Sequence, residues 1–191
     1  HLRTRRQRQM CIRDRAAHIL EAGEDISLTA IDVDKTRLNR VEENLSRIQK
    51  TAKLITANAA ELDSWYNGQP FDRVLLDAPC SGTGVISHHP DIKLLRRKTD
   101  IGQFHSQQMA LLTALWPTLK AGGKLLYCTC SIMEKENQQT IDAFLKQTND
   151  ADEIVIDANW GVACSRGRQL LPNPGKNGGF YYALLSKKEK L

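Results

Sequence analysis

Residues 26–50 read ISLTAIDVDKTRLNRVEENLSRIQK and place a strand pattern directly before a helix pattern. The first seven residues form a short apolar segment that ends in an acid, which is typical of a strand. The residues after it repeat large apolar side chains at helical spacing, so that these side chains share one face: Leu38, Val41, Leu45 and Ile48. The stretch therefore predicts one strand-helix unit of an α/β protein.

The same alternation continues in both directions along the chain. Residues 16–23, AAHILEAG, are typical of the end of a helix stopped by a glycine. Further helices are predicted over 103–119 and 134–148, and further strands over 52–56, 70–79, 123–131, 153–157 and 178–186. We therefore expect a Rossmann-like α/β fold with a largely parallel sheet, which binds ligands beyond the carboxyl ends of its strands.

The bulk composition favours a single cytoplasmic domain. A chain of 191 residues with 41% apolar content can bury one sizeable core. It has no apolar run of about 18 residues and no apolar segment behind its basic N-terminus, so neither a membrane span nor a secretory signal is predicted. The five cysteines are odd in number and lack CxxC spacing. We therefore expect reduced thiols and no metal site.

The formal net charge of +5 is unevenly distributed. Residues 1–15 hold six arginines and one acid, which leaves 21 basic and 21 acidic residues in 16–191. Attraction to phosphates would have to come from residues 1–15 or from a local patch that contains Lys93, Arg96, Arg97 and Lys98. We interpret 1–15 as a basic leader, either a disordered tail or non-native sequence, and 16–191 as the folded domain.

Acidic residues follow the strand predicted at 26–32. An acid at such a strand end can bind both ribose hydroxyls of an adenosine ligand, and Asp32 is placed for this. Alternatively, Asp32 or Asp34 caps the helix that begins near Lys35, and Asp34 suits the cap. The sequence leaves both interpretations of Asp32 open.

Two further strand ends carry cysteines. Residues 77–84, DAPCSGTG, combine an acid, a proline, a thiol and two glycines, which indicates a tight turn with reactive groups projecting from it. The alternative is a small buried cysteine in an ordinary turn. In residues 128–131, CTCS, strand alternation places Cys128 and Cys130 on one face. Cys130, at the strand end, is the residue expected to reach the cleft, and Cys128 is expected in the core.

Cleft thiols suit the methylation of a pyrimidine at carbon 5. This carbon is a poor nucleophile until a thiolate adds to the neighbouring carbon 6 and converts the ring to an enamine. Carbon 5 can then take a methyl group from a sulfonium donor, a base removes the carbon 5 proton, and the thiolate leaves. Asp77 could hold the exocyclic amino group and ring nitrogen of cytosine, which would favour cytosine over uracil.

Four motifs in the chain resemble, in the same order, those of the Sun-type (Fmu) family of RNA cytosine-5 methyltransferases. They are VLLDAPCSGTG at 74–84, HHPDIK at 88–93, LLYCTCS at 125–131 and GGFYYALL at 178–185. The resemblance implies an S-adenosylmethionine-dependent methyltransferase, most similar to bacterial enzymes of small-subunit ribosomal RNA, with ribosomal RNA as substrate. We also expect a monomer that needs no metal.

The resemblance assigns roles to five residues. It implies that Cys130, in the TCS motif, is the nucleophile and that Cys80, in the APCS motif, assists release of the methylated product. It further implies cofactor contacts from Asp32, from position 58 and from Asp77. Position 58 is Asn58, where the family usually has an acid. An amide can still accept a hydrogen bond from the adenine amino group, so weaker binding is expected there.

The start of the domain departs from the family pattern. The family begins with a strand and a glycine-rich loop of the general form DLCAAPGGKT, whereas residues 16–23 follow the arginine-rich leader. We therefore expect a domain without its first strand and glycine-rich loop. This leaves the alternative of a catalytically impaired fragment that at most binds RNA.

Two other enzyme classes fit the sequence less well. A nicotinamide-dependent oxidoreductase has only Asp32 in its favour, without a GxGxxG motif. An amino-group methyltransferase would have two prolines and an aromatic residue after the acid or amide of its active turn, where this chain has DAPC.

Overall fold

The computed structural model describes residues 12–23, 25–173 and 177–189, except for the side chains of 12–14 and 98. The chain divides into two compact units, the first ending at Asn67 and the second beginning at Gly68. Of the expected leader, 1–11 lie outside the described residues. The rest belongs to a helix that begins at Ile12, in which Arg15 is buried.

The first unit is built around a strand-helix-strand motif. Its elements are α1 (Ile12–Glu21), β1 (Thr29–Asp32), α2 (Lys35–Arg47) and β2 (Lys53–Thr56), with a single 3-10 turn at Leu62–Ser64. Strands β1 and β2 are parallel and pair from Thr29 opposite Lys53 to Asp32 opposite Thr56. Helices α1 and α2 form a small core of Ala16, Leu20, Val41 and Leu45. This confirms the strand-helix unit predicted from residues 26–50.

The described residues of the second unit form a six-stranded sheet and three helices. Its strands are β3 (Phe71–Asp77), β4 (Leu119–Thr129), β5 (Ala151–Ile154), β6 (Val162–Ala163), β7 (Arg168–Leu170) and β8 (Phe180–Lys187). Its helices are α3 (Ile92–Leu95), α4 (Lys98–Leu115) and α5 (Gln138–Gln147), with 3-10 turns at Thr83–Val85, Trp116–Thr118 and Glu134–Glu136. The largest fully buried side chains include Tyr127, Phe144, Leu112, Leu125 and Tyr181.

The sheet of the second unit is mixed. The strand order is β3-β4-β8-β7-β6, and β5 also pairs with β8. Only the β3–β4 pair is parallel among these described strands; β8 runs antiparallel to β4, β5 and β7. The expectation of a largely parallel sheet was therefore wrong for this unit. Strands β6, β7 and β8 follow one another through loops, and such connections allow antiparallel pairing, whereas parallel pairing needs a longer crossover.

Helix α4 ends earlier than the sequence pattern indicated. The predicted helix ran to 119, but α4 stops at Leu115, and β4 already begins at Leu119. Pro117 has no backbone N–H, so it cannot continue the helical hydrogen bonds. No helix within the described ranges is long and apolar enough to cross a membrane.

We predict that Leu125→Ala destabilises the second unit. Leu125 is fully buried in β4, and such a truncation removes apolar contacts and leaves a cavity, at a cost of about 2–5 kcal/mol in unfolding free energy. Urea denaturation measures the change. The matched control is Lys124→Ala on the adjacent, exposed position, which should change the free energy by less than about 0.5 kcal/mol. An equal loss of unfolding free energy in both variants would contradict the burial of Leu125.

Candidate active site with two cysteines

Two loops leave neighbouring parallel strands at the same edge of the sheet. The Cys80 loop, residues 78–84, follows β3, and the Cys130 loop, residues 130–136, follows β4. The register pairs Asp77 with Cys128 at the ends of these strands. It brings the sulfur of Cys80 to 3.3 Å from the sulfur of Cys130. The two cysteines that the sequence predicted as site residues therefore lie in contact.

Burial distinguishes Cys128 from Cys130 as the sequence predicted. Cys128 is buried, with 1% of its surface exposed, whereas Cys130 and Cys80 are half-buried. The expectation that Cys128 belongs to the core is therefore confirmed. The alternative of Cys80 as an ordinary buried cysteine loses support, because its sulfur contacts a second thiol.

The contact between the thiols changes the ionisation of Cys80. The hydrogen bond with Cys130 raises the pKa of Cys80 far above its ordinary value, and burial of the thiol adds to the shift. Cys80 therefore keeps its proton and can donate it towards the sulfur of Cys130. A hydrogen bond to the charged form of a group favours that form. This arrangement favours Cys130 as the sulfur that becomes the reactive thiolate.

Gly84 joins three of the sequence motifs. Its N–H donates to the carbonyl of Cys130 at 2.9 Å, and its own carbonyl accepts from the N–H of Gly179 at 2.6 Å. A Cβ added at Gly84 would collide with the carbonyl of Gly179 and would lie 2.9 Å from that of Cys130. Only glycine permits this approach, so the second glycine of GTG and the GG pair are needed for packing at the site.

Two polar side chains hold the Cys80 loop, a role that the sequence predicted for neither of them. The buried amide of Gln108 donates to the carbonyl of Pro79 at 2.8 Å. Arg96 donates from Nε to the carbonyl of Ser81 at 2.9 Å, and its guanidinium lies over the ring of Phe104. The sequence carried a usable signal for Gln108. It lies four residues before the buried Leu112, so both side chains share the buried face of the helix.

Asp77 is exposed at the last position of β3. The thiol of Cys128 lies 3.8 Å from Oδ1 of Asp77. The carboxylate remains accessible to ligands at the strand end.

The acids after β1 have separate roles. Asp34 is the N-cap of α2 and accepts from the N–H of Thr36 at 2.8 Å, as predicted. That hydrogen bond is the main cause of a lowered pKa of Asp34. Asp32 does not cap the helix; its Oδ1 accepts from the N–H of Asp34 at 2.9 Å, and Arg37 lies 3.5 Å from its Oδ2. The capping interpretation is thus confirmed for Asp34 and wrong for Asp32.

Asn58 lies just beyond β2, on the same side of the first unit as Asp32. The pairing of Asp32 with Thr56 places both residues at the carboxyl ends of β1 and β2. The amide of Asn58 is engaged in its own turn: Nδ2 donates to Glu61 at 2.9 Å, and Oδ1 accepts from the N–H of Ala60 at 3.1 Å. An amide oxygen has two lone pairs, so one acceptor position remains.

Within residues 12–23, 25–173 and 177–189, no group of three or more histidine, cysteine, aspartate or glutamate side chains is arranged to hold a metal ion. The Nδ1 atom of His88 lies 3.1 Å from the hydroxyl of Ser87.

The fold is that of an α/β methyltransferase. A solved structure described as a methyltransferase homolog protein from Pyrococcus horikoshii matches with a TM-score of 0.72 and 30% identity, over 85% of this chain and 54% of that one. The structure of NSun6 from Pyrococcus horikoshii with SFG matches with a TM-score of 0.78 and 27% identity, over 91% of this chain and 45% of the other.

The sequence model of the family described as 16S rRNA methyltransferase RsmB/F matches residues 13–186, and the chain belongs to this family. Ribosomal RNA small subunit methyltransferase B of Pseudomonas putida is 49% identical over 174 residues, which cover 91% of this chain and 40% of that protein. The chain thus spans about two fifths of the length of this relative. The family resemblance inferred from the four motifs is confirmed.

We predict that iodoacetamide alkylates Cys130 before Cys80 near pH 8. The thiolate is the reacting form, and the raised pKa of Cys80 keeps that thiol protonated. Peptide mass spectrometry after limited reaction measures the order. In a Cys130→Ala variant, loss of the hydrogen bond should lower the pKa of Cys80 and speed its alkylation. Faster alkylation of Cys80 in the unaltered protein would refute this assignment.

We predict that Gly84→Ala destabilises the protein, because its Cβ would overlap the backbone of Gly179. Overpacking of this kind costs about 1–3 kcal/mol in unfolding free energy, which urea denaturation detects. Gly102→Ala in α4 is the control, because its Cβ would meet only Lys135 Nζ, at an ordinary 3.7 Å. A Gly84→Ala protein as stable as the control would show that the loops can separate at no cost.

Proposed function

We propose that this chain carries the catalytic site of an RNA (cytosine-5-)-methyltransferase that uses S-adenosylmethionine and acts on ribosomal RNA. The contact between the sulfurs of Cys80 and Cys130 is the observation that carries the proposal. Covalent activation of a pyrimidine requires one thiolate, and a second thiol beside it is available for proton transfer. Membership of an rRNA methyltransferase family supports the same substrate class.

In the proposed reaction, the thiolate of Cys130 adds to carbon 6 of cytosine and forms a carbon–sulfur bond. The electron pair displaced towards carbon 5 forms the bond to the incoming methyl group. S-adenosylmethionine supplies that group as an electrophile and leaves as the neutral thioether. Loss of the carbon 5 proton to a base then restores the ring double bond and expels the sulfur of Cys130.

The contact between the thiols suggests how Cys80 assists release. The hydrogen bond with Cys130 is the main cause of the raised pKa of Cys80. Once the sulfur of Cys130 is bonded to cytosine, it carries no negative charge and this cause is weakened. The pKa of Cys80 then falls, and Cys80 becomes able to act in the proton transfer that precedes release.

Three residues are proposed to bind the cofactor or the base. Asp32 has acceptor positions for ribose hydroxyls at the end of β1, and Asn58 has one for the adenine amino group beyond β2. The exposed Asp77 offers its carboxylate to the exocyclic amino group of cytosine, or to the cofactor as the family resemblance implies. These residues fit a nucleoside ligand because each presents an oxygen acceptor at a strand end.

The proposed substrate is an unpaired or flipped cytosine of ribosomal RNA, because carbon 6 of a stacked base is inaccessible to a protein side chain. We further propose that the protein acts as a monomer in the cytoplasm. The alternative of a chain that at most binds RNA is not proposed, since the family match includes both cysteine motifs.

We predict that Cys130→Ala abolishes methyl transfer from S-adenosylmethionine to 16S ribosomal RNA, because the variant cannot activate carbon 5. Cys80→Ala should instead form the covalent RNA adduct and release it slowly, so that a slowly migrating protein–RNA band accumulates. Incorporation of labelled methyl groups and denaturing gel electrophoresis measure the two effects.

The matched control is Cys164→Ala, which removes a half-buried cysteine from the turn between β6 and β7. It should leave both readouts unchanged. Undiminished transfer by Cys130→Ala would exclude Cys130 as the nucleophile, and inactivity of the unaltered protein would count against the proposed function itself.

A further inference from the structure

Each of the two cysteines is followed by a serine, and both serines are fully buried. Ser81 and Ser131 have 0% of their surface exposed. Their hydroxyls donate to the same carboxylate oxygen, Oε2 of Glu136, at 2.6 Å and 2.5 Å. The backbone N–H of Ser81 donates to Oε1 of Glu136 at 2.7 Å. One carboxylate therefore joins the residues that follow the two thiols.

Glu136 is itself fully buried, which is unusual for a carboxylate. Burying an ionised side chain is costly unless hydrogen bonds replace its water. Here three donors from two loops replace it. Thr83 extends the cluster, since its hydroxyl lies 3.1 Å from that of Ser131 and accepts from the N–H of Ile132.

The position of Glu136 is fixed from the core of the second unit. Its backbone carbonyl accepts from the hydroxyl of the buried Tyr127 at 2.7 Å. The neighbouring Asn137, also buried, donates to the carbonyl of Ser131 at 2.9 Å and accepts from Thr129 at 2.6 Å. The carboxylate is therefore anchored to β4 and its loop, and it reaches across to the Cys80 loop.

We propose that Glu136 is a positioning residue that holds the Cys80 and Cys130 loops together and thereby keeps the two thiols in contact. The reaction proposed above does not use this buried carboxylate. Its three described hydrogen bonds come from Ser81 and Ser131, and none of them involves a sulfur. Its three hydrogen bonds hold the serines that follow the two cysteines. Loss of these hydrogen bonds therefore lets the sulfurs separate. The proposal rests on the proposed function for its effect on catalysis, but the contact between the thiols can be tested without RNA.

Glu136→Gln is the sharpest variant because it keeps the shape of the side chain. An amide offers one oxygen acceptor and an NH₂ group that cannot accept from a hydroxyl. The variant therefore loses at least one of the three bonds. The matched control is Glu134→Gln in the same 3-10 turn, where the side chain is exposed.

The first measurement probes the thiol pair directly. A trivalent organic arsenical, phenylarsine oxide, binds tightly only where it bonds to two neighbouring thiols. We expect one-to-one binding by the unaltered protein and by Glu134→Gln, loss of tight binding in Cys80→Ser, and binding weaker by roughly tenfold in Glu136→Gln, as expected for loss of about one charge-assisted hydrogen bond. Circular dichroism and urea denaturation establish that each variant is folded.

The second measurement is steady-state methylation of 16S ribosomal RNA. Misplacement of a reacting group by about 1 Å can cost about 100-fold in rate. We expect kcat of Glu136→Gln to fall by about that factor with little change in the KM for RNA, because Glu136 acts on the loops and not on the substrate. Glu134→Gln should keep both constants.

The outcomes separate this inference from the proposed function. A folded Glu136→Gln protein with unchanged arsenical affinity overturns the positioning role, whatever its activity. Weaker arsenical binding with unchanged kcat overturns the proposed effect of Glu136 on catalysis. If the unaltered protein methylates no RNA, the proposed function fails, while the arsenical titration still decides whether Glu136 holds the thiols. If Glu136→Gln does not fold, Ser131→Ala removes a single donor and should show the same two effects, each smaller; their absence there overturns the inference.

Discussion

The parallel pairing of β3 with β4 is the constraint on which the site depends. With Asp77 opposite Cys128, both strands end at the same level. The loops that follow therefore begin side by side, and a short turn in each is enough to bring the thiols to 3.3 Å. A shift of one residue in this register would turn every side chain of one strand to the other face. The backbone pairing of β3 with β4 thus determines where the two thiols lie.

Polar contacts hold the loops once the strands have placed them. The backbone bonds of Gly84 to Cys130 and Gly179, and the buried carboxylate of Glu136, join segments that are far apart in the chain. Buried hydrogen bonds are directional, and a missing partner leaves a desolvated group at substantial cost. Such a network specifies one arrangement of the loops, whereas apolar contacts alone would tolerate small displacements. Two thiols that share a proton must be held at a fixed distance, and such a network provides this.

Periodicity in the sequence predicted the elements that are long and regular. The unit from β1 to β2, the helix α5 and the central strands β4 and β8 lie close to their predicted positions. Strands β6 and β7 have only two and three residues, too few for an alternating pattern, so they were missed. The sequence pattern could not predict the direction of β8, because side chains alternate between the two faces in the same way in parallel and antiparallel strands. The motifs identified the cysteines, but the pairing of Ser81 with Glu136, 55 positions apart, depends on the tertiary fold.

The most direct test of the account identifies the atom that bonds to the RNA. In 16S ribosomal RNA transcribed with 5-fluorocytidine, the fluorine at carbon 5 cannot be removed as a proton would be, so the covalent adduct should persist after methyl transfer from S-adenosylmethionine. Digestion and mass spectrometry then locate the linked residue. The account predicts a methylated fluorocytidine bonded to the sulfur of Cys130. An adduct on Cys80, or turnover without any adduct, would contradict it.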